Sequence, residues 1–134
     1  MAHFSPITNI LPGLLIRTPD ETVLAVGRTR IRVVSSLAEG PVTAVLRPED
    51  ILVSREPIRS SARNRISGKV TAVRDLGMFA VLRVEGEDLG LNVMITRQSL
   101  AELGIRAGEI VDLTFKASAV LLFAPGAGES APRA

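Results

Sequence analysis

The pentapeptide Asn9-Ile10-Leu11-Pro12-Gly13 returns 55 positions later as Asn64-Arg65-Ile66-Ser67-Gly68, the same Asn-x-aliphatic-x-Gly pattern. A second match sets Val42 to Val53 against Val111 to Leu122 at an offset of 69. Under that offset Leu46 falls on Phe115, Arg47 on Lys116 and Ile51 on Val120. A chain of 134 residues built as two copies of one unit leaves each copy roughly 55–65 residues, room for about five short strands. The two offsets differ by 14 positions, about the length of Ile95 to Gly108. The second copy is therefore expected to hold one piece that the first lacks.

Short aliphatic runs separated by Gly, Pro and Asp read as strands. They are expected at Gly13 to Ile16, Thr22 to Val26, Arg28 to Val34, Val42 to Leu46 and Ile51 to Val53 in the first copy. In the second they are expected at Ile66 to Val73, Met78 to Val84, Leu89 to Ile95, Ile110 to Phe115 and Val120 to Phe123. The extra piece reads as a helix, Arg97 to Leu103, with Thr96 as its N-cap and Gly104 as its stop. Leu100 and Leu103 would share its buried side. Gly86 is placed to give the Glu85–Asp88 turn a positive φ. Arg28, Arg30 and Arg32 recur with period two and share one strand face, either as a solvated charged face or as one that tracks phosphate. The fold class is mainly β: two tandem small five-stranded OB-like barrels, with one short helix in the second. The expected partition is 1–56 for the first barrel without a helix, 57–123 for the second, and a disordered tail at 124–134, rich in Ala, Pro and Gly.

Composition removes several function classes. The chain has no Cys and a single His, His3, so it offers no disulfide, no thiolate zinc site and no ordinary Ser-His-Asp triad. It has four Phe and neither Tyr nor Trp, few stacking groups for a nucleic-acid module. Residues 1–60 hold seven Arg against six acids, and residues 61–134 nine cations against eight acids. A net charge of +1 on each half gives no basic tail or patch, so nucleic acid is not expected as a partner. No apolar run is long enough to span a bilayer, and the N-terminus has no signal-peptide pattern. A cytoplasmic location without membrane insertion is expected. No G-x-x-x-x-G-K-[S/T] loop occurs, and no catalytic constellation is seen, so the chain is not expected to be an enzyme.

Three stretches of the second copy concentrate hydrogen-bond donors: Ser61-Ala62-Arg63-Asn64, Ile95-Thr96-Arg97-Gln98-Ser99 and Lys116-Ala117-Ser118-Ala119. None contains a carboxylate or a histidine. Small hydroxyls with cations suit an anion of several oxygens. The same residue types also form turns and solvated surface, and that alternative stays open at this point.

Ser61-Ala62-Arg63-Asn64 with Gly68, Ile95-Thr96 with Ser99 and Leu103-Gly104, and Phe115-Lys116-Ala117-Ser118-Ala119-Val120 together resemble the molybdate-binding Mop (molbindin) domain. The resemblance covers about residues 61–123. The first copy, through Asn9-Ile10-Leu11-Pro12-Gly13 and Leu46-Arg47-Pro48-Glu49-Asp50-Ile51, is similar to the transport-associated OB domain that follows the ATPase domain of importers. Together the two look like the C-terminal regulatory region of a molybdate or tungstate ABC-transporter ATPase. The resemblance implies an oxyanion site formed by Ser61, Ala62, Arg63, Thr96, Lys116, Ser118 and Ala119, with hydroxyls and backbone N–H groups as donors and Lys116 and Arg63 as compensating charge. It implies molybdate or tungstate as ligand, with no other cofactor and no free metal cation. It also implies a homo-oligomer, because in this family the sites lie at contacts between subunits or copies. An ABC-transporter nucleotide-binding domain is a possible partner. The first copy lacks all three donor motifs and is expected to carry no complete site. Stand-alone oxyanion storage and a purely structural dimerisation module are the other functions open to such a chain.

Overall fold

The computed structural model describes residues 6–125. Ten strands follow one another: β1 Asn9–Arg17, β2 Thr22–Val26, β3 Thr29–Arg32, β4 Gly40–Leu46, β5 Leu52–Ser54, β6 Asn64–Asp75, β7 Phe79–Glu85, β8 Gly90–Thr96, β9 Ile110–Phe115 and β10 Leu121–Phe123. The helix expected after Thr96 is present as α1, Arg97–Leu103. Single 3₁₀ turns, Pro48–Asp50 and Ala117–Ala119, follow β4 and β9. The expected tail lies, from residue 126 onward, outside the described residues.

The strands form two antiparallel five-stranded sheets, β10-β4-β1-β2-β3 and β5-β9-β6-β7-β8. The repeat holds at the level of register. Asn9 stands opposite Leu46 in the first sheet, and Asn64 opposite Phe115 in the second. The partition between sheets is not the partition of the chain. The strand β5, which precedes residue 57, pairs with β9 of the second sheet, Leu52 opposite Thr114. The strand β10, from the second copy, pairs with β4 of the first, Leu121 opposite Val45. Each sheet thus takes its outer strand from the other copy. One apolar core runs through both, from Leu11, Leu15, Leu24 and Leu46 to Val70, Leu82, Val93 and Phe115. With so few aromatics it is an aliphatic core.

Two asparagines fasten the copies reciprocally. Asn9 is buried, accepts from the Asn92 N–H at 2.7 Å and donates to the Asn92 carbonyl at 2.9 Å. Asn64 is buried, accepts from the Arg32 N–H at 2.7 Å and donates to the Arg32 carbonyl at 2.9 Å. A primary amide presents one acceptor and one donor side by side, which matches the N–H and C=O of one residue on an edge strand. Asn9 therefore extends the edge of β8, and Asn64 the edge of β3. The conserved spacing to Gly13 and Gly68 also has a steric cause. A Cβ on Gly13 would lie 2.7 Å from the Ala25 carbonyl oxygen, and one on Gly68 2.9 Å from the Glu85 carbonyl oxygen. Each glycine lets its strand press against the next.

Local chemistry accounts for the remaining boundaries. The Thr96 hydroxyl accepts from the Ser99 N–H at 3.0 Å, and Gly104 ends α1 with φ +62. Leu100 and Leu103 are partly buried against the core. Arg55, just past β5, donates to the carbonyls of Leu103 and Gly104 at 2.8 and 2.7 Å and pairs with Glu109. This closes the C-terminus of α1, whose last carbonyls have no partner within the helix. Gly86 departs from expectation. It does not have a positive φ; its N–H donates to the Leu89 carbonyl at 2.8 Å and closes the turn in ordinary backbone geometry. The first strand also begins earlier than expected, at Asn9. It crosses Pro12 while paired only with β4, since its pairing with β2 begins at Leu14. A proline is tolerated where one flank of the strand is unpaired.

Candidate functional site

The loop ahead of β6 and the turn after β9 meet at one end of the β6–β9 pair. Asn64 opposite Phe115 sets that meeting: Ser61 and Ala62 lie just before the pair, and Lys116 just after it. Together they border a concavity of about 340 Å³ lined by Asp50, Leu52, Ser60, Ser61, Ala62, Thr114, Phe115, Lys116, Ser118 and Ala119. Five of the seven expected site residues are here: Ser61, Ala62, Lys116, Ser118 and Ala119.

Their donors divide into two groups. The Ala62 N–H already donates to Ser60 Oγ at 3.1 Å, and the Ala119 N–H to the Lys116 carbonyl at 3.0 Å. These two backbone groups hold the turns. Ser61, Lys116 and Ser118 are exposed, and among the described residues their side chains form no hydrogen bond or ion pair. Two serines and one lysine with unengaged side chains therefore line the concavity. No histidine or paired carboxylates stand among them, so the arrangement suits binding and offers no acid–base pair.

Arg63 and Thr96 lie elsewhere. Arg63 borders a second concavity, of about 320 Å³, with Glu21, Arg30, Arg32 and Arg65. It does not line the first concavity with Ser61 and Ala62. Thr96 borders a third, with Glu49, Ile51, Leu52, Phe79 and Ser99, and its hydroxyl is engaged with Ser99 in the helix cap. Leu52 lines both the third concavity and the first. The period-two arginines are partly paired: Arg28 with Glu87 and Asp88, and Arg32 with Glu21. Asp88 accepts from the Arg28 N–H and guanidinium, which together hold its carboxyl below the usual carboxylate range.

Five lining residues were not among the expected site residues: Asp50, Leu52, Ser60, Thr114 and Phe115. Asp50 and Leu52 reach the concavity because β5 joins the second sheet, and no spacing motif records that exchange. Thr114 was visible only as a polar position within a strand. It is 2% exposed, and among the described residues its Oγ1 is the one buried side-chain polar atom with no hydrogen-bond partner. No group of three or more potential metal ligands occurs among the described residues. No helix there is long and apolar enough to cross a membrane.

Comparison with known proteins agrees with this architecture. Residues 60–122 match the TOBE domain. The molybdate/tungstate import ATP-binding protein WtpC of Pyrococcus horikoshii is 38% identical over 123 residues, and that of Pyrococcus abyssi 35%. In both cases the match takes in 92% of this chain and 34% of the relative. The chain thus spans about a third of the length of these curated relatives. Among solved structures, the cytoplasmic molybdate-binding protein ModG, determined with molybdate bound, superposes with a TM-score of 0.74. That match has 24% identity and covers 87% of this chain and 96% of ModG; at this identity the likeness establishes the fold. The second copy, residues 60–122, thus matches the TOBE domain, and most of the chain is similar to about a third of the WtpC proteins.

Proposed function

We propose that the chain binds molybdate or tungstate in the concavity between the Ser61 loop and the Lys116 turn, as a cytoplasmic regulatory region of an importer ATPase. The observation that carries this is convergence. Two stretches 55 residues apart bring free hydroxyls and an ammonium to one hollow. A tetrahedral dianion accepts hydrogen bonds through all its oxygens and needs compensating charge. Ser61 and Ser118 supply neutral donors and Lys116 a charged one.

The ligand and the setting come from the relatives. WtpC proteins are named for molybdate/tungstate import, and the match to them takes in most of this chain. The partner in that setting is an ATP-binding domain. Stand-alone oxyanion storage is the second function, in keeping with the shared fold of ModG, which is named as a molybdate-binding protein. Binding does not extend to catalysis in either setting.

One chain supplies an incomplete shell. Asp50 lines the concavity as a negative charge, and Arg63 and Thr96 of the same chain line other hollows. A second copy that contributes cations and hydroxyls would close the shell, so a homo-oligomer is part of the proposal. Calorimetric titration with molybdate, tungstate, sulfate and a short DNA strand tests it, with light scattering alongside. Heat from molybdate or tungstate, much weaker heat from sulfate and none from DNA is expected. Equal signals for sulfate and molybdate would leave only a generic anion patch.

A further inference from the structure

Thr114 stands in β9 between Arg65 of β6 and Leu52 of β5. It lines the oxyanion concavity, is 2% exposed, and has a hydroxyl with no partner among the described residues. A buried hydroxyl without a hydrogen bond is a standing cost, so a reason for its presence is required. Folding does not supply one, and the chain contains the control. At the offset of 69 that relates β4 to β9, the counterpart of Thr114 is Val45. Val45 pairs with Ile10 and Leu121, the counterparts of Arg65 and Leu52, and is 3% exposed. The same slot in the same fold is filled by valine, isosteric with threonine but without the hydroxyl.

The two copies differ at this point in one further respect. In the second copy the turn after the strand reads Lys116-Ala117-Ser118-Ala119; in the first it reads Arg47-Pro48-Glu49-Asp50. Where the second copy has the Ser118 hydroxyl, the first has the Glu49 carboxylate, which suits an anion less. The hydroxyl occurs where the turn admits an anion, and the methyl where it does not.

We propose that Thr114 is a further oxyanion ligand and that its Oγ1 is the donor at the floor of the concavity. This rests on the oxyanion reading of the preceding subsection. Less than 1 Å² of the oxygen is accessible in this structure, so the anion reaches it as the Ser60–Ala62 segment shifts outward and the anion seats below the present surface. A tetrahedral oxyanion has only acceptor oxygens and so fits a hydroxyl whose proton has no acceptor among the described residues.

Thr114→Val and Thr114→Ser test it, with the thermal midpoint of the free protein and molybdate and tungstate titrations as readouts. Thr114→Val should leave the midpoint unchanged or raise it, because an orphaned polar atom is removed. It should weaken oxyanion binding about 10- to 100-fold, the range of one hydrogen bond to a charged group. Thr114→Ser should do the converse: it loses a buried methyl, lowers the midpoint and keeps the affinity. Parent-like affinity in Thr114→Val overturns the inference while the oxyanion site stands. Joint loss of midpoint and affinity in Thr114→Val also overturns it, since that is the behaviour of a packing residue. If the parent itself binds neither oxyanion, the proposed function fails and this inference falls with it.

Discussion

Replacing Asn64 by alanine should weaken the joint between the two copies without touching the anion donors. Asn64 makes two hydrogen bonds to the Arg32 backbone, at 2.7 and 2.9 Å, from a buried position. Truncation removes both and leaves the N–H and C=O of Arg32 without their partners. A buried group left unsatisfied costs about 1–3 kcal/mol. Arg32 lies on an edge strand with an exposed side chain, so water takes up part of the loss, and about 2–4 kcal/mol in total is expected for the pair. The Asn9 pair has the same two distances, to Asn92. Asn9→Ala should therefore cost about as much. The two share no partner, so the double variant should lose close to the sum. Urea denaturation followed by far-UV circular dichroism gives these values. If either single variant unfolds within about 0.5 kcal/mol of the parent, or the two differ severalfold, the reciprocal clamp is not what joins the copies.

Three further outcomes follow from the geometry. Gly68→Ala should destabilise by about 1–3 kcal/mol, because the added methyl would stand 2.7 Å from Val84 Cγ1 and 2.9 Å from the Glu85 carbonyl oxygen; thermal melts read this directly. Asp50→Asn should tighten oxyanion binding about two- to fivefold at low salt, since it removes a negative charge from the rim; calorimetry at two salt concentrations checks both the gain and its screening. Asp75, Asp88 and Glu109 all have carboxyls held below their ordinary range, the first two chiefly by backbone N–H groups and the third by Arg55. A depressed folded pKa stabilises above the unfolded value, so the unfolding midpoint should fall as pH drops below about 4, and Asp88→Asn should flatten that fall.

Much of this was legible because it is written in local chemistry. Alternating aliphatic residues fixed the strands, and Thr96, Ser99 and Gly104 carried the helix boundaries in cap and stop residues. The repeat was legible because Asn9 and Asn64 meet a demand for a paired donor and acceptor, and Gly13 and Gly68 a demand for no Cβ. The strand exchange was not legible. Leu52 and Leu121 are counterparts, and each would fit either sheet, so nothing in their composition says which copy they complete. Asp50 and Leu52 were missed at the site for that reason. Thr114 escaped notice because a threonine in a strand is ordinary until the absence of a hydrogen-bond partner is known. Arg63 and Thr96 were grouped with Ser61 by motif, whereas Arg63 borders the arginine-lined hollow and the helix cap holds Thr96 at another.

The central claim is that Ser61 and Lys116 serve one anion. A double-mutant cycle on molybdate and tungstate affinity measures this most directly. Lys116→Ala should lose about 1.5–3 kcal/mol of binding and Ser61→Ala about 0.5–1.5 kcal/mol, with Lys116→Arg a poor substitute because a planar fork replaces a compact ammonium. The double variant should lose less than the sum, as both remove support from one ligand. Single variants that bind both oxyanions as the parent does would contradict the account and leave the Ser61 loop and the Lys116 turn as structural turns alone.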